Sequence, residues 1–228
     1  MAERADSLWQ LDYLFTIAGV SWLIHVGVTF LVYVALVDTG PWAHLWFASM
    51  AVFSLAMSAL GWSFRPVKER APHVAARFGV VHSILTVGVG LTWASGTFGA
   101  SAAGSEILLF YTLCLGGTAL GAVSSQHALL RSCFLSIWSS IPGLSLAHLL
   151  HSPGVQGWVS ALLMLLFAVM LSVTALRLHR FLLENHSLTE QLSQKVAELT
   201  KVTGRLEDAT QIALDAEAAK SRLLAQAS

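Results

Sequence analysis

Six long apolar runs, each closed by turn residues or by charge, set the pattern of this chain. They occupy residues 15–37, 42–64, 74–95, 106–125, 129–150 and 155–176. Each is close to the roughly 20 residues a helix needs to cross a hydrocarbon layer of about 30 Å. The links are short, as at Asp38-Thr39-Gly40-Pro41, residues 65–70 and His151-Ser152-Pro153-Gly154. Short links place successive helices antiparallel, so the pattern predicts an all-α fold, a polytopic six-helix transmembrane bundle.

Beyond residue 176 the pattern changes. Apolar residues return every seventh position, at Leu192, Leu199, Leu206 and Ala213 and again at Leu188, Val202, Ala209, Ala216 and Leu223, with Lys195 as the polar exception. Glu, Lys, Gln, Thr and Ser are frequent at the positions between. Such a repeat predicts a coiled coil whose seam pairs two copies of the chain; the alternative is a solvated amphipathic helix with no partner. Gly204 costs about 1 kcal/mol of helix propensity relative to Ala, which a dimer seam absorbs. No proline follows Pro153, so the sixth run and the tail are expected to form one helix. The expected division is an N-terminal segment at 1–14, a membrane domain at 15–176, a signalling helix at 177–218 and a distinct end at 219–228.

Composition supports the membrane reading and charge orients it. Only 11% of the 228 residues are charged and 55% are hydrophobic, against about 25% charged in ordinary soluble domains. Arg4, Arg65, Lys68, Arg70, Arg77, Arg131, Arg177 and Arg180 all fall on one side under a six-span count. The other three links hold no Lys or Arg. By the positive-inside rule both termini are then cytoplasmic. Net charge is zero, so no nucleic-acid surface is expected. The N-terminus has no basic segment followed by a cleavable apolar stretch, so no signal peptide is expected. Cys114 and Cys133 sit inside apolar runs and read as small packing residues. Trp9, Trp42, Trp46, Trp62 and Trp158 fall near span ends, where an amphipathic ring suits the headgroup level. The external links are too short for a domain, so a stimulus would be read within the membrane or at its surface.

Polar groups inside hydrocarbon are costly, which makes each a candidate for function. His25 and His82 lie at comparable depth in the first and third runs, with Trp22 close by in sequence to His25. Either each imidazole bonds a neighbouring helix, or they contact a ligand, or they ligate a metal jointly. Two histidines make an under-coordinated metal site, so no metal is expected. His44, His148 and His151 fall near the outer face and read as solvated loop-edge residues. In the fifth run Pro142 and Gly143 follow Trp138, Ser139 and Ser140. A proline there should kink the helix and free a carbonyl, giving either a packing kink or a wall of a ligand pocket. Gly88, Gly90, Gly116 and Gly117 read as helix-packing residues.

The last ten residues, Ala219-Lys220-Ser221-Arg222-Leu223-Leu224-Ala225-Gln226-Ala227-Ser228, resemble the opening of the dimerisation and phosphoacceptor domain of bacterial sensor histidine kinases. In that family a run of the form Ala-Lys-Ser-aromatic-Leu leads into the phosphoacceptor histidine; here Leu223 and Leu224 stand for the aromatic-Leu pair. The layout as a whole resembles the six-span sensory halves of quorum-sensing and redox-responsive kinases, often hybrid kinases feeding a phosphorelay. The resemblance implies a chain cut just before that histidine, in the bacterial inner membrane. It also implies a homodimer, an unknown small hydrophobic or amphiphilic signal, and a cognate response regulator reached through the parent protein. ATP and Mg²⁺ would belong to the parent kinase. In these 228 residues no cofactor and no catalytic activity are expected. Rival readings are a six-span sensor for another output, such as a cyclic-nucleotide cyclase, a small-molecule transporter or channel, and a dimerisation module without ligand.

Overall fold

The computed structural model describes residues 8–64, 72–152 and 154–227, with side chains for 9–17, 24–64, 77–152, 154–220 and 222. The elements are α1 (Leu8–Leu36), a 3-10 turn (Val37–Thr39), α2 (Pro41–Phe64), α3 (Pro72–Ala103), α4 (Ser105–Gln126), α5 (Leu130–His151) and α6 (Val155–Ala227). All are helical. Five helices, α2 to α6, are long and apolar enough to cross a membrane; in α1 the described apolar stretch is shorter, within Ile24–Thr39. The chain is thus a multi-pass membrane protein by the length and composition of its helices. It forms two compact units, Met1–Arg180 and Phe181–Ser228.

Within the first unit the helices run up and down. At one end the start of α1 meets the ends of α2 and α4, with Phe15 4.7 Å from Phe64 and Tyr13 5.8 Å from His127, ring centre to ring centre. At the other end Tyr33 of α1 bonds His44 of α2 at 2.8 Å, and Thr112 of α4 bonds His148 of α5 at 2.9 Å. Thr112 gives its own proton to the Leu108 carbonyl, so His148 donates through Nε2. His148 is therefore a strut between α4 and α5, where the sequence reads as a solvated loop edge. A single residue, Gly104 at φ 124°, links α3 to α4. Only a residue without Cβ enters that backbone region readily.

Four glycines make α3 the helix on which the others close. A Cβ at Gly88 would strike the Phe53 ring, at Gly90 the Ser139 side chain, at Gly96 the Tyr111 hydroxyl, and at Gly99 the Trp42 indole. Small residues let neighbours approach closely where lipid supplies no hydrophobic drive between helices. The tightest knot joins Trp46, Trp93 and Tyr111, with ring centres 5.3–5.9 Å apart and edges turned to faces. Aromatic pairs so arranged contribute about 0.5–1.5 kcal/mol each beyond their buried area. Tyr111 donates to the Trp93 carbonyl at 2.6 Å and Trp46 to the Thr92 carbonyl at 2.9 Å. Trp46 is only 4% exposed. It is a core residue, not the headgroup anchor its place near a span end predicts.

The first part of α6 completes this unit. Ala168, Leu171 and Ala175 are buried against Ala119 and Val123 of α4 and Cys133, Ile137 and Ile141 of α5, with Met164 and Leu178 packed alongside. Two hydrogen bonds fasten the same face: Ser145 to the Ala161 carbonyl at 2.9 Å, and Trp138 Nε1 to Ser172 Oγ at 3.1 Å. The opposite face, including Leu163, Leu166 and Met170, is exposed. In the second unit α6 carries its apolar stripe in the open. Leu188, Leu192, Leu199, Val202 and Leu206 are each more than half exposed, and Ala209, Ala213 and Ala216 are exposed too. Lys195, the polar member of the stripe, reaches Glu198 at 2.9 Å.

Candidate functional site

A groove of about 460 Å³ opens between α1, α3 and α4. Its floor is the small-residue face of α4, with Gly117, Thr118, Gly121, Ala122 and Ser125. Ile24, His25 and Val28 of α1 form one wall, and Phe110, Leu113 and Cys114 extend it along α4. His82 of α3 and Gln126 at the end of α4 line it as well. A Cβ added at Gly117 or Gly121 would meet nothing within 4 Å. Gly117 is thus not the packing residue its setting in an apolar run suggests, whereas Gly88 and Gly90 are. A smaller cavity of about 40 Å³ adjoins it between α3, α4 and α5, and His25, Thr118, Ala122 and Gln126 line both.

His82 is 1% exposed and is held by a polar chain crossing to α5. Its Nδ1 lies 3.0 Å from Ser132 Oγ, which lies 2.8 Å from Ser83 Oγ. Ser83 gives its proton to the Gly79 carbonyl at 2.9 Å and accepts from Arg131 Nε at 3.2 Å. With all of these bonds made at once, Ser132 donates to Ser83 and His82 donates through Nδ1 to Ser132. In that arrangement Nε2 of His82 is an acceptor, and it has no hydrogen-bond partner among the described residues. Gln126 Oε1 and Trp93 Nε1, both on the walls of this cavity pair, are likewise buried without partners. An unmade hydrogen bond at a buried group costs about 1–3 kcal/mol, so such atoms around a cavity mark where a ligand's polar group gains most. A largely apolar cavity with a few convergent polar groups is the usual form of a small-molecule site.

The residues singled out from sequence fall in different places. His25 and His82 line one groove, but each ring has its own aromatic neighbour: Trp93 for His25, and Phe15 for His82, at 5.9 and 5.8 Å. Ser140 lines the smaller cavity. Ser139 packs on Gly90. Trp138 turns to Ser172 of α6, and neither it nor Pro142 lines either cavity. α5 remains helical through Pro142. The side chain of Trp22 lies outside the described residues, as do Arg4, Arg65, Lys68 and Arg70. Sequence reasoning missed Gln126 and the Gly117–Gly121 floor, although two glycines four apart followed by Ser125 and Gln126 were visible in the fourth run. Among the described residues no three His, Cys, Asp or Glu side chains converge as a metal site would require. No protein family, no curated protein and no solved structure matches the chain.

Proposed function

We propose that this chain is the membrane sensory and dimerisation region of a two-component sensor histidine kinase. A small amphiphilic signal enters a six-span bundle from the lipid, and α6 passes the bound state to a kinase core outside these 228 residues. The carrying observation is α6 itself: one helix from Val155 to Ala227 that is packed against α4 and α5 by its first part and bears an unpartnered heptad stripe in its second. A stripe of that period is satisfied by a second copy in a parallel coiled coil, with Leu188, Leu192, Leu199, Val202 and Leu206 in the seam. The kinase output rests on the resemblance of residues 219–228. The positive-inside distribution supports cytoplasmic termini.

A ligand shifts such an equilibrium only by its difference in affinity between the two states. The groove lies between α1, α3 and α4, and α4 also carries Ala119 and Val123, on which α6 rests. Widening or closing the groove therefore acts on the surface that holds α6. The test is autophosphorylation of the full-length parent in nanodiscs across a panel of membrane-soluble compounds. At least one compound should change the rate several-fold in the native protein and not in Gly121→Ile, which fills the groove. A parent protein with no autophosphorylation under any condition removes the kinase reading.

A further inference from the structure

Polar side chains line the groove at its middle, at His25 and Thr118, and at one end, where His82 and Gln126 carry buried polar atoms with no hydrogen-bond partner among the described residues; that end defines its occupant. His82, Ser125 and Gln126 lie toward the end of the bundle that holds the α4–α5 turn, whereas Ile24, Phe110 and Leu113 lie deeper or toward the other end. From Phe110 to Gln126 the groove follows α4 for about 24 Å at 1.5 Å per residue. Its middle is floored by Gly117 and Gly121, whose missing side chains leave open space, and Leu113 and Ile24 stand exposed at its edge. Among the described residues no Asp, Glu, Lys or Arg lines it.

We infer that this groove takes a single-chain amphiphile with an uncharged, hydroxyl-bearing head. The head lies against His82 and Gln126, level with the α4–α5 turn, and the alkyl chain lies over Gly117 and Gly121. Four observations bear on this jointly. The length and narrow floor suit one extended chain. The open edge at Leu113 gives entry from the lipid layer. Among the described residues no charged side chain lines the groove, so a carboxylate or phosphate head finds nothing there to offset its desolvation. Nε2 of His82 and Oε1 of Gln126 are both acceptors without donors among the described residues, so a head that donates protons matches them and an ether or hydrocarbon does not. A glycine stripe facing outward in a membrane helix also suits a second helix, but two orphaned acceptors at its end are chemistry that an apolar helix face would leave unmet. The inference rests on the sensory reading above and gives its signal a chemical class and an orientation.

The chain supplies its own reporter. Cys114 lines the groove and is partly exposed, while Cys133 is fully buried. The protein in nanodiscs is treated with N-benzylmaleimide at mildly alkaline pH, and modification of each cysteine is followed by mass spectrometry. Monolaurin, laurate and dodecane share one chain length and differ in the head. Monolaurin should slow modification of Cys114 at least tenfold, and the other two less than twofold. Gln126→Leu should bring monolaurin within twofold of dodecane. Gly121→Ile, whose added side chain enters open space, should keep the native Tm and lose the Tm rise that monolaurin gives. Equal protection by laurate overturns the neutral head; protection by none of the three, or a persisting Tm rise in Gly121→Ile, overturns the site. Cross-linking through Leu199→Cys, read in parallel, separates this from the sensory reading. Protection of Cys114 with unchanged cross-linking leaves the binding inference standing and removes sensing. Changed cross-linking without protection does the reverse.

Discussion

His179 donates its Nδ1 proton to the backbone carbonyl of His127 across 2.7 Å. The bond ties α6, one residue before the first unit ends at Arg180, to the turn that joins α4 to α5. Gln126, beside that turn, lines the groove, so one short segment touches both the candidate site and the helix proposed to carry its signal. His179→Phe keeps the bulk and removes the donor. It should cost about 0.5–1.5 kcal/mol and speed hydrogen exchange of the amides around residues 127–133, measured in nanodiscs by mass spectrometry.

Trp138→Phe should lower bundle stability by a similar 0.5–1.5 kcal/mol, because it removes the bond to Ser172. Ligand affinity should be unchanged within twofold, since Trp138 lines neither cavity. A binding isotherm and a melting curve on one preparation check both halves.

Gly90→Ala should destabilise the bundle by about 1–3 kcal/mol, the usual cost of overpacking, because its Cβ meets the Ser139 side chain. Pairing it with Ser139→Gly should recover most of that loss. Gly117→Ala, set over open space, should leave the Tm within a degree or two.

Leu199→Asp should lower the dimer fraction of the detergent-solubilised chain at least tenfold in light scattering, because it places like charges across the proposed seam. Gly204→Ala should act in the other direction. Nothing stands within 4 Å of its Cβ position, and the gain in helix propensity is about 1 kcal/mol per copy.

Much of the fold was legible because hydrophobic length is a one-dimensional property. Helices α2, α4 and α5 begin and end within a residue of the predicted runs, and α6 forms the single helix that a proline-free sequence allows. The third apolar run ends at residue 95, yet α3 continues to Ala103. Gly96 and Gly99, beyond that limit, are the seats of Tyr111 and Trp42 in the structure. The site was legible only in part. Counting depth from the span ends put His25 and His82 at one level, and they share a groove. Rotation about each helix axis was not legible, because a span that meets protein on one side and lipid on the other is apolar all round. Hence Trp138 reads as a pocket residue and faces α6, while Gly117 reads as a contact and faces a void.

The unbroken length of α6 has one more consequence. Met164, Leu171 and Leu178 pack in the first unit, and Leu192, Leu199 and Leu206 fall on the same seven-residue count. Along an α-helix, adding one residue between 181 and 187 turns the heptad positions that follow by about 100°, while adding seven nearly restores them, with a residual of about 20°. For the proposed sensor, the permitted lengths of this helix are therefore spaced like the teeth of a gear, and a family of insertions stepped one residue at a time should swing the kinase output from on to off and back.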